Sequence, residues 1–300
     1  MSDPQTKTVK VVSPWQDLWA RFKEDKVAVC ALAVVIILLA LAVFAPLISP
    51  QNPYDLSGLS LRDARRPPGH VGSGGYIHLL GTDAQGRDLL SAILYGLRVS
   101  LQIGIAAGAA ALVIGTTIGI TAAYARGFVE AILMRIVDLQ LSFPAILLAL
   151  VLVAILGQGQ MQLIIALVAA QYAYFARTAY GAASAERSKD YVEAAAATPL
   201  SARRIVFRHI LPNAMPALIV VATVQIAYAI ALEATLSFLG LGLPVTEPSL
   251  GMLISNGVKY MMSGRTWISL YPGLALIILI VSINLVGDHL RDILNPRLDR

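Results

Sequence analysis

Six stretches of this chain run for about twenty residues each with almost no charge, and that pattern restricts the fold more than any other feature. They cover 27–48, 99–124, 139–157, 163–180, 214–239 and 268–286. A bilayer core about 30 Å thick is crossed by about 20 apolar residues rising 1.5 Å each. A segment in hydrocarbon must satisfy its own backbone polar groups, so each run is predicted to be a helix. The expected fold class is an all-α polytopic membrane protein with six transmembrane helices. Composition agrees. Of 300 residues, 57% are hydrophobic and only 14% charged, where a soluble domain carries about 25% charged residues. The first run holds 22 uncharged residues and follows 26 others. A secretory signal has a shorter apolar region, about 7–15 residues, close to the start, so 27–48 is read as a retained anchor.

The net charge of +5 is distributed between the apolar runs. That suits a chain held by anionic lipid and oriented by its loops, with no nucleic-acid partner expected. With a cytoplasmic N-terminus, the inside segments hold 16 of the 23 Lys and Arg and the outside segments 7. Both termini are therefore predicted to be cytoplasmic. The chain divides into a cytoplasmic arm (1–26), the first spanning helix (27–48), a periplasmic loop (49–98), a core transmembrane domain (99–288) and a cytoplasmic tail (289–300). In the arm, Ser13-Pro14-Trp15-Gln16 fits a capping box. Trp15, Leu18, Trp19 and Phe22 then recur at helical spacing opposite Asp17, Arg21, Glu24 and Asp25, which predicts an amphipathic helix at the membrane interface. A calmodulin-like target helix is the alternative reading. Cys30 stands alone in an apolar run and is expected to be a small core hydrophobe, with no disulfide and no cysteine-based metal site.

The second run carries Gly104, Gly108, Gly115 and Gly119, which fall on one helical stripe and are expected to let another helix approach closely. A moving pore wall is the alternative. No Gly-Lys dipeptide exists, so there is no Walker A loop. His-Glu-x-x-His, Gly-x-Ser-x-Gly and Cys-x-x-Cys are also missing, and His70, His78, His209 and His289 have no ligand spacing. A membrane enzyme therefore has no catalytic constellation to stand on. A secondary transporter would use ionisable groups at mid-membrane. Asp138 and Asp288 are placed at helix ends, which leaves Glu233 as the candidate intramembrane polar site, read here as a structural acceptor.

The segment between the fourth and fifth runs is the most informative. Asp190 is expected to cap a short helix over Tyr191–Ala197. Thr198-Pro199 breaks it, and Thr198 is expected to cap a second helix with Pro199 in its first turn, ending near Leu211-Pro212. Glu193, Ala194 and Ala195 on the first helix make a shallow surface suited to docking another protein. The segment resembles the EAA loop (181–212 here) of ABC importer permeases: Glu-Ala-Ala, three residues, Gly, nine residues, Ile-x-Leu-Pro. Glu193, Ala194, Ala195, Leu211 and Pro212 match. Pro199 replaces the glycine, and His209 stands where isoleucine is usual.

Leu80-Gly81-Thr82-Asp83-Ala84-Gln85-Gly86-Arg87-Asp88 is similar to the LGTDxxGRD signature of the C-type dipeptide and oligopeptide permeases. The stretches Met134–Asp138 through Phe143-Pro144, Leu236–Gly242 and Gly287–Asp292 resemble the same family. The resemblance covers about residues 15–300. It implies a type I ABC importer transmembrane fold in a bacterial inner membrane, importing peptides or peptide-like solutes. It also implies a homologous second permease, two cytoplasmic ATPases and a periplasmic binding protein as partners. Glu193, Ala194, Ala195, Pro199, Leu200 and Ser201 would then be the ATPase-coupling residues. This chain would bind no cofactor or metal of its own, since ATP and Mg would sit on the ATPases. A standalone secondary transporter or channel is the alternative function.

Overall fold

The computed structural model describes residues 14–55, 59–244 and 246–294. Its helices are α1 (Pro14–Phe22), α2 (Lys26–Val43), α3 (Ala45–Ile48), α4 (Leu89–Ala125), α5 (Gly127–Leu141), α6 (Ala145–Leu156), α7 (Gln160–Arg187), α8 (Asp190–Ala196), α9 (Ala202–Ile205), α10 (Leu211–Phe238), α11 (Leu250–Met261) and α12 (Trp267–Leu294). A two-stranded antiparallel ribbon, His70–Val71 paired with Ile77–His78, sits in the segment before α4. Among the described residues, five helical stretches are long and apolar enough to cross a membrane: α2, α4, α7, α9 through α10, and α12. The pair α5 and α6 makes six if it forms one span, and it is bent by 90°.

That bend corrects the continuous third span expected at 139–157. Pro144 cannot donate to the ladder and pushes Phe143 out of helical geometry, so the chain turns between Leu141 and Ala145. The stretch 125–140, expected to be a loop, is mostly α5. Asp138 lies in the last turn of α5 rather than at a helix start, and its carboxylate meets Arg177 of α7 at 3.1 Å. Other boundaries move outward. α4 starts at Leu89, ten residues before the expected 99, because Asp88 caps it by accepting from the Ser91 N–H at 2.8 Å. α12 runs on to Leu294, so Asp288 and His289 are helical rather than in a tail. α11 was not expected at all. Ser249 caps it, and Gly251 and Gly257 let it press against the backbones of α10 and α12.

α4 and α7 pack along their length and α10 lies against both. α2 is apolar all round and buries only Ala28, Ala31 and Ala42. Val35, Leu38, Leu39 and Leu41 are partly buried against the core, while Cys30 is exposed. Cys30 is thus an exposed residue and not the core residue expected, because α2 is apolar on every side and packs through only one of them. In α1, Phe22 is buried edge-on against His289 of α12, and Trp19 stacks on Phe22 while staying half exposed. Ser13 of the expected capping box lies outside the described residues, as do the side chains of Trp15 and Gln16.

The glycine stripe of α4 serves two neighbours. Gly104 and Gly108 meet the side chains of Ile230 and Ile226 on α10. Gly115 and Gly119 lie on the backbone of α7: a Cβ at Gly119 would stand 2.7 Å from Ala179 Cβ and 2.8 Å from the Tyr180 nitrogen. Lipid tails provide no hydrophobic drive between helices, so this close packing is what holds α4 to α7. Gly119→Leu should therefore cost at least about 1–3 kcal/mol by overpacking. It is expected to cut the yield of monodisperse protein in size-exclusion chromatography well below that of Gly273→Leu, whose Cβ meets nothing within 4 Å. Equal yields would remove the close-approach role.

Candidate functional site

The loop between α7 and α10 is held from beneath and bare on its outer side. Val192, Ile205 and Ile210 are buried with Ile120 and Ala123 of α4, Ala179 and Ala183 of α7, and Ala214 and Leu218 of α10. Polar ties add to this anchor. The Tyr191 hydroxyl donates to Glu186 at the end of α7 and accepts from Asn213 Nδ2 of α10 at 3.0 Å. Lys189 Nζ reaches the other oxygen of Glu186 at 2.6 Å. Desolvation and then the bond to Glu186 push the Tyr191 phenol up to about 12, so it stays a donor. Arg187 donates to the carbonyls of Ala123 and Tyr124, closing α7 onto the end of α4.

On this base, Glu193, Ala194, Pro199 and Ser201 are exposed, while Ala195 and Leu200 are half-buried. Successive residues turn by 100°. Ala194 therefore points away from buried Val192, and Ala195 leans back toward the protein. The capping differs from expectation. Lys189 is the N-cap of α8 without a side-chain bond, and Asp190 is the first helical residue, where its charge favours the helix dipole. The second helix starts at Ala202, capped by Ser201, not at Thr198. Thr198 is spent on the turn itself: its carbonyl accepts from the Leu200 N–H at 2.7 Å and its hydroxyl donates to the Ala195 carbonyl. This three-residue turn centred on Pro199 suits an inverse γ-turn, whose central φ of about −75° a proline satisfies. No left-handed residue, and hence no glycine, is required there.

The helix does not end at Leu211-Pro212 either. A π-helical turn, Val206–Ile210, joins α9 to α10, with the Leu211 N–H reaching the Val206 carbonyl. Widening the ladder by one residue just before Pro212 lets the helix pass a residue that has no donor. The end of the loop and the span are thus one continuous helical stretch from Ala202 to Phe238.

Above the loop, α7, α10 and α12 line a concave groove of about 820 Å³. Its wall is mainly valine and proline from α10, with Tyr174, Thr178, Asn213, Gln225, Asp288 and Arg291 as polar groups. Glu233 is separate from it. It is fully buried toward the other end of α10, where it accepts from Ser100 of α4 at 2.8 Å and Ser237 at 2.7 Å. Ser249, the cap of α11, supplies a third hydroxyl. Glu233→Gln keeps a hydrogen-bonding group and is expected to assemble normally. Glu233→Leu strands the hydroxyls and should cost about 1–3 kcal/mol, seen as less assembled complex. Lost transport with normal assembly in the Gln variant would point instead to a role for the charge.

The segment 80–88 turned out to be a buried polar knot before α4. Arg87 Nε donates to Asp83 Oδ2 at 2.7 Å, and the N–H groups of Gln85 and Arg87 donate to Asp83 Oδ1 at 2.8 and 3.0 Å. His78 pairs with Asp88 at 2.9 Å, and Asp88 also caps α4. Gly81 and Gly86 take positive φ, 80° and 83°, and a Cβ on either would strike the chain at Arg66 or Ser60. Nearby Asp63 is raised by desolvation, but Ser73, His78 and His70 outweigh it and hold the carboxyl below its ordinary range. The sequence signal was three polar residues, Thr82, Asp83 and Gln85, between two glycines and followed at once by Arg87 and Asp88, and nothing in the spacing said that they would face one another. The role of Tyr191 was missed for the same reason, since Glu186 and Asn213 lie on different helices.

Residues 115–300 match the family model for the binding-protein-dependent transport system inner membrane component, and 13–68 match that for the N-terminal TM domain of oligopeptide transport permease C. A putative peptide transport system permease protein of Brucella suis is 43% identical over 267 residues, 89% of this chain and 86% of the relative. The dipeptide transport system permease protein DppC of Escherichia coli K12 is 39% identical over 288 residues, covering 96% and 94%. The glutathione transport system permease protein GsiD of Pectobacterium atrosepticum is 35% identical over 298 residues, covering 98% and 95%. Among solved structures, an inward-facing MetNI methionine ABC transporter shares the fold, with a TM-score of 0.56 and 22% identity over 68% of this chain and 96% of that one.

Proposed function

The chain belongs to the family of binding-protein-dependent transport system inner membrane components, and on that premise we propose that it forms half of a peptide-conducting pathway driven by ATPases docked on the α8–α9 loop. It is a multi-pass inner-membrane permease subunit of the ABC peptide-importer family. In the proposed assembly the loop face is cytoplasmic, with both termini on that side. A homologous second permease covers the groove of α7, α10 and α12, two ATPases sit beneath, and an external binding protein delivers the peptide or peptide-like solute.

The observation that carries this reading is the pairing of a bare Glu193-Ala194 surface with a base locked to three spanning helices. α8 is fastened to the spanning helices through Val192 and Tyr191, and α9 continues into α10 without a break. Closure of the ATPases would then tilt α10 and reshape the groove. Uptake of a labelled dipeptide into proteoliposomes tests the proposal. ATP-dependent uptake is expected only when the second permease, the ATPases and the binding protein are present. Uptake by this chain alone under an ion gradient would replace the proposal with a secondary transporter.

A further inference from the structure

A second groove lies at the opposite end of the membrane from the α8–α9 loop, and its chemistry is graded with depth. Its volume is about 490 Å³, and it opens between α2, α4 and α7. Val43 ends α2 and Gln160 begins α7, so both stand at the mouth. Arg98 of α4 stands at the same level. It is 27 residues from Ala125, about 40 Å along the axis at 1.5 Å per residue, which carries it past a hydrocarbon core about 30 Å thick. One to two turns deeper the lining becomes Leu39, Ile105 and Ile164, with Gln102 between.

Arg98 is half-buried, and among the described residues no carboxylate forms an ion pair with it; the Tyr54 phenol is a neutral neighbour within electrostatic range. A guanidinium at the edge of the hydrocarbon, with a fixed fork of donors, matches a phosphodiester, and its charge favours a lipid whose headgroup carries no cation of its own. We propose that this groove is a binding site for an anionic phospholipid. The lipid phosphate sits on Arg98 between the amides of Gln102 and Gln160, and an acyl chain lies over Leu39, Ile105 and Ile164. The site would clamp α2 to α4 and α7 from the leaflet away from the loop. The proposal depends on the membrane placement of the chain and not on what it transports.

Native mass spectrometry of the whole delipidated complex tests it, with phosphatidylglycerol, phosphatidylcholine and glycerol phosphate as probes. Phosphatidylglycerol is expected to be retained over phosphatidylcholine, and glycerol phosphate not at all. Arg98→Gln should lower phosphatidylglycerol retention about fivefold, the scale of one basic residue at a lipid surface. Arg98→Lys, which keeps the charge and loses the fork, should retain more than Arg98→Gln and less than the wild type. Ile105→Trp, which fills the groove and leaves the cation, should lower retention to a similar degree. Retention of phosphatidylglycerol by Arg98→Gln at the wild-type level, or equal retention of the two lipids, would overturn the site. So would a quantitative cross-link from Gln102→Cys to a partner subunit, since a protein helix would then fill the groove.

Discussion

Replacing Ala194 with aspartate is expected to strip the ATPase subunits from the purified complex while leaving the chain folded and inserted. Ala194 is exposed and points away from the buried side of α8, so the change touches no internal contact. At a docked interface it adds bulk where only a methyl fits and buries a charge with no partner. Interface changes of that kind cost about 2 kcal/mol or more, about thirtyfold in affinity. Co-purification of the ATPases and their stimulation by the loaded binding protein should fall together. Ala195→Asp is a poorer probe, because Ala195 is half-buried and its loss could be read as damage to the loop. Pro199→Gly should be mild: glycine can adopt the same turn, and the cost is backbone entropy of about 0.5–1 kcal/mol. Full co-purification and full stimulated ATPase activity with Ala194→Asp would mean that this surface is not the coupling element.

The other large effect is expected far from the loop, at Asp83. This carboxylate is 3% exposed and accepts three hydrogen bonds, one of them from the fully buried Arg87 side chain. Asp83→Ala removes the acceptor but leaves the guanidinium inside the knot. Breaking a buried pair from one side costs about 3–5 kcal/mol, a large part of what a membrane-protein fold has to spare. The variant should lose most of its monodisperse protein or melt many degrees lower in detergent. Asp83→Asn keeps an acceptor for the turn and should fall between the two. A wild-type melting curve for Asp83→Ala would show that the knot is ornamental and that the packing of α4 alone orders this segment. Both variants also separate two explanations of lost transport, since Ala194→Asp spares stability and Asp83→Ala does not.

The apolar runs by themselves determined the helical form of the membrane elements and the place of five of them, because hydrocarbon leaves the backbone no other way to satisfy its polar groups; the third became a bent pair. The Glu193-Ala194-Ala195 segment and the 80–88 motif were legible as family marks without any knowledge of their contacts. What the tertiary structure decided was everything that depends on a partner from elsewhere in the chain. Cys30 and Ala28 have similar apolar surroundings in sequence, yet one faces out and the other lies in the seam. Gly104 and Gly119 share one stripe but meet different helices. Thr198 and Ser201 are both good caps locally, and the turn at Pro199, by using the Thr198 carbonyl and hydroxyl, left the capping to Ser201. Hydropathy is a property of a segment and survives being read alone. Which face is buried, where a proline is bypassed and which carboxylate meets which cation are properties of pairs, and they exist only once α4, α7 and α10 have been brought together.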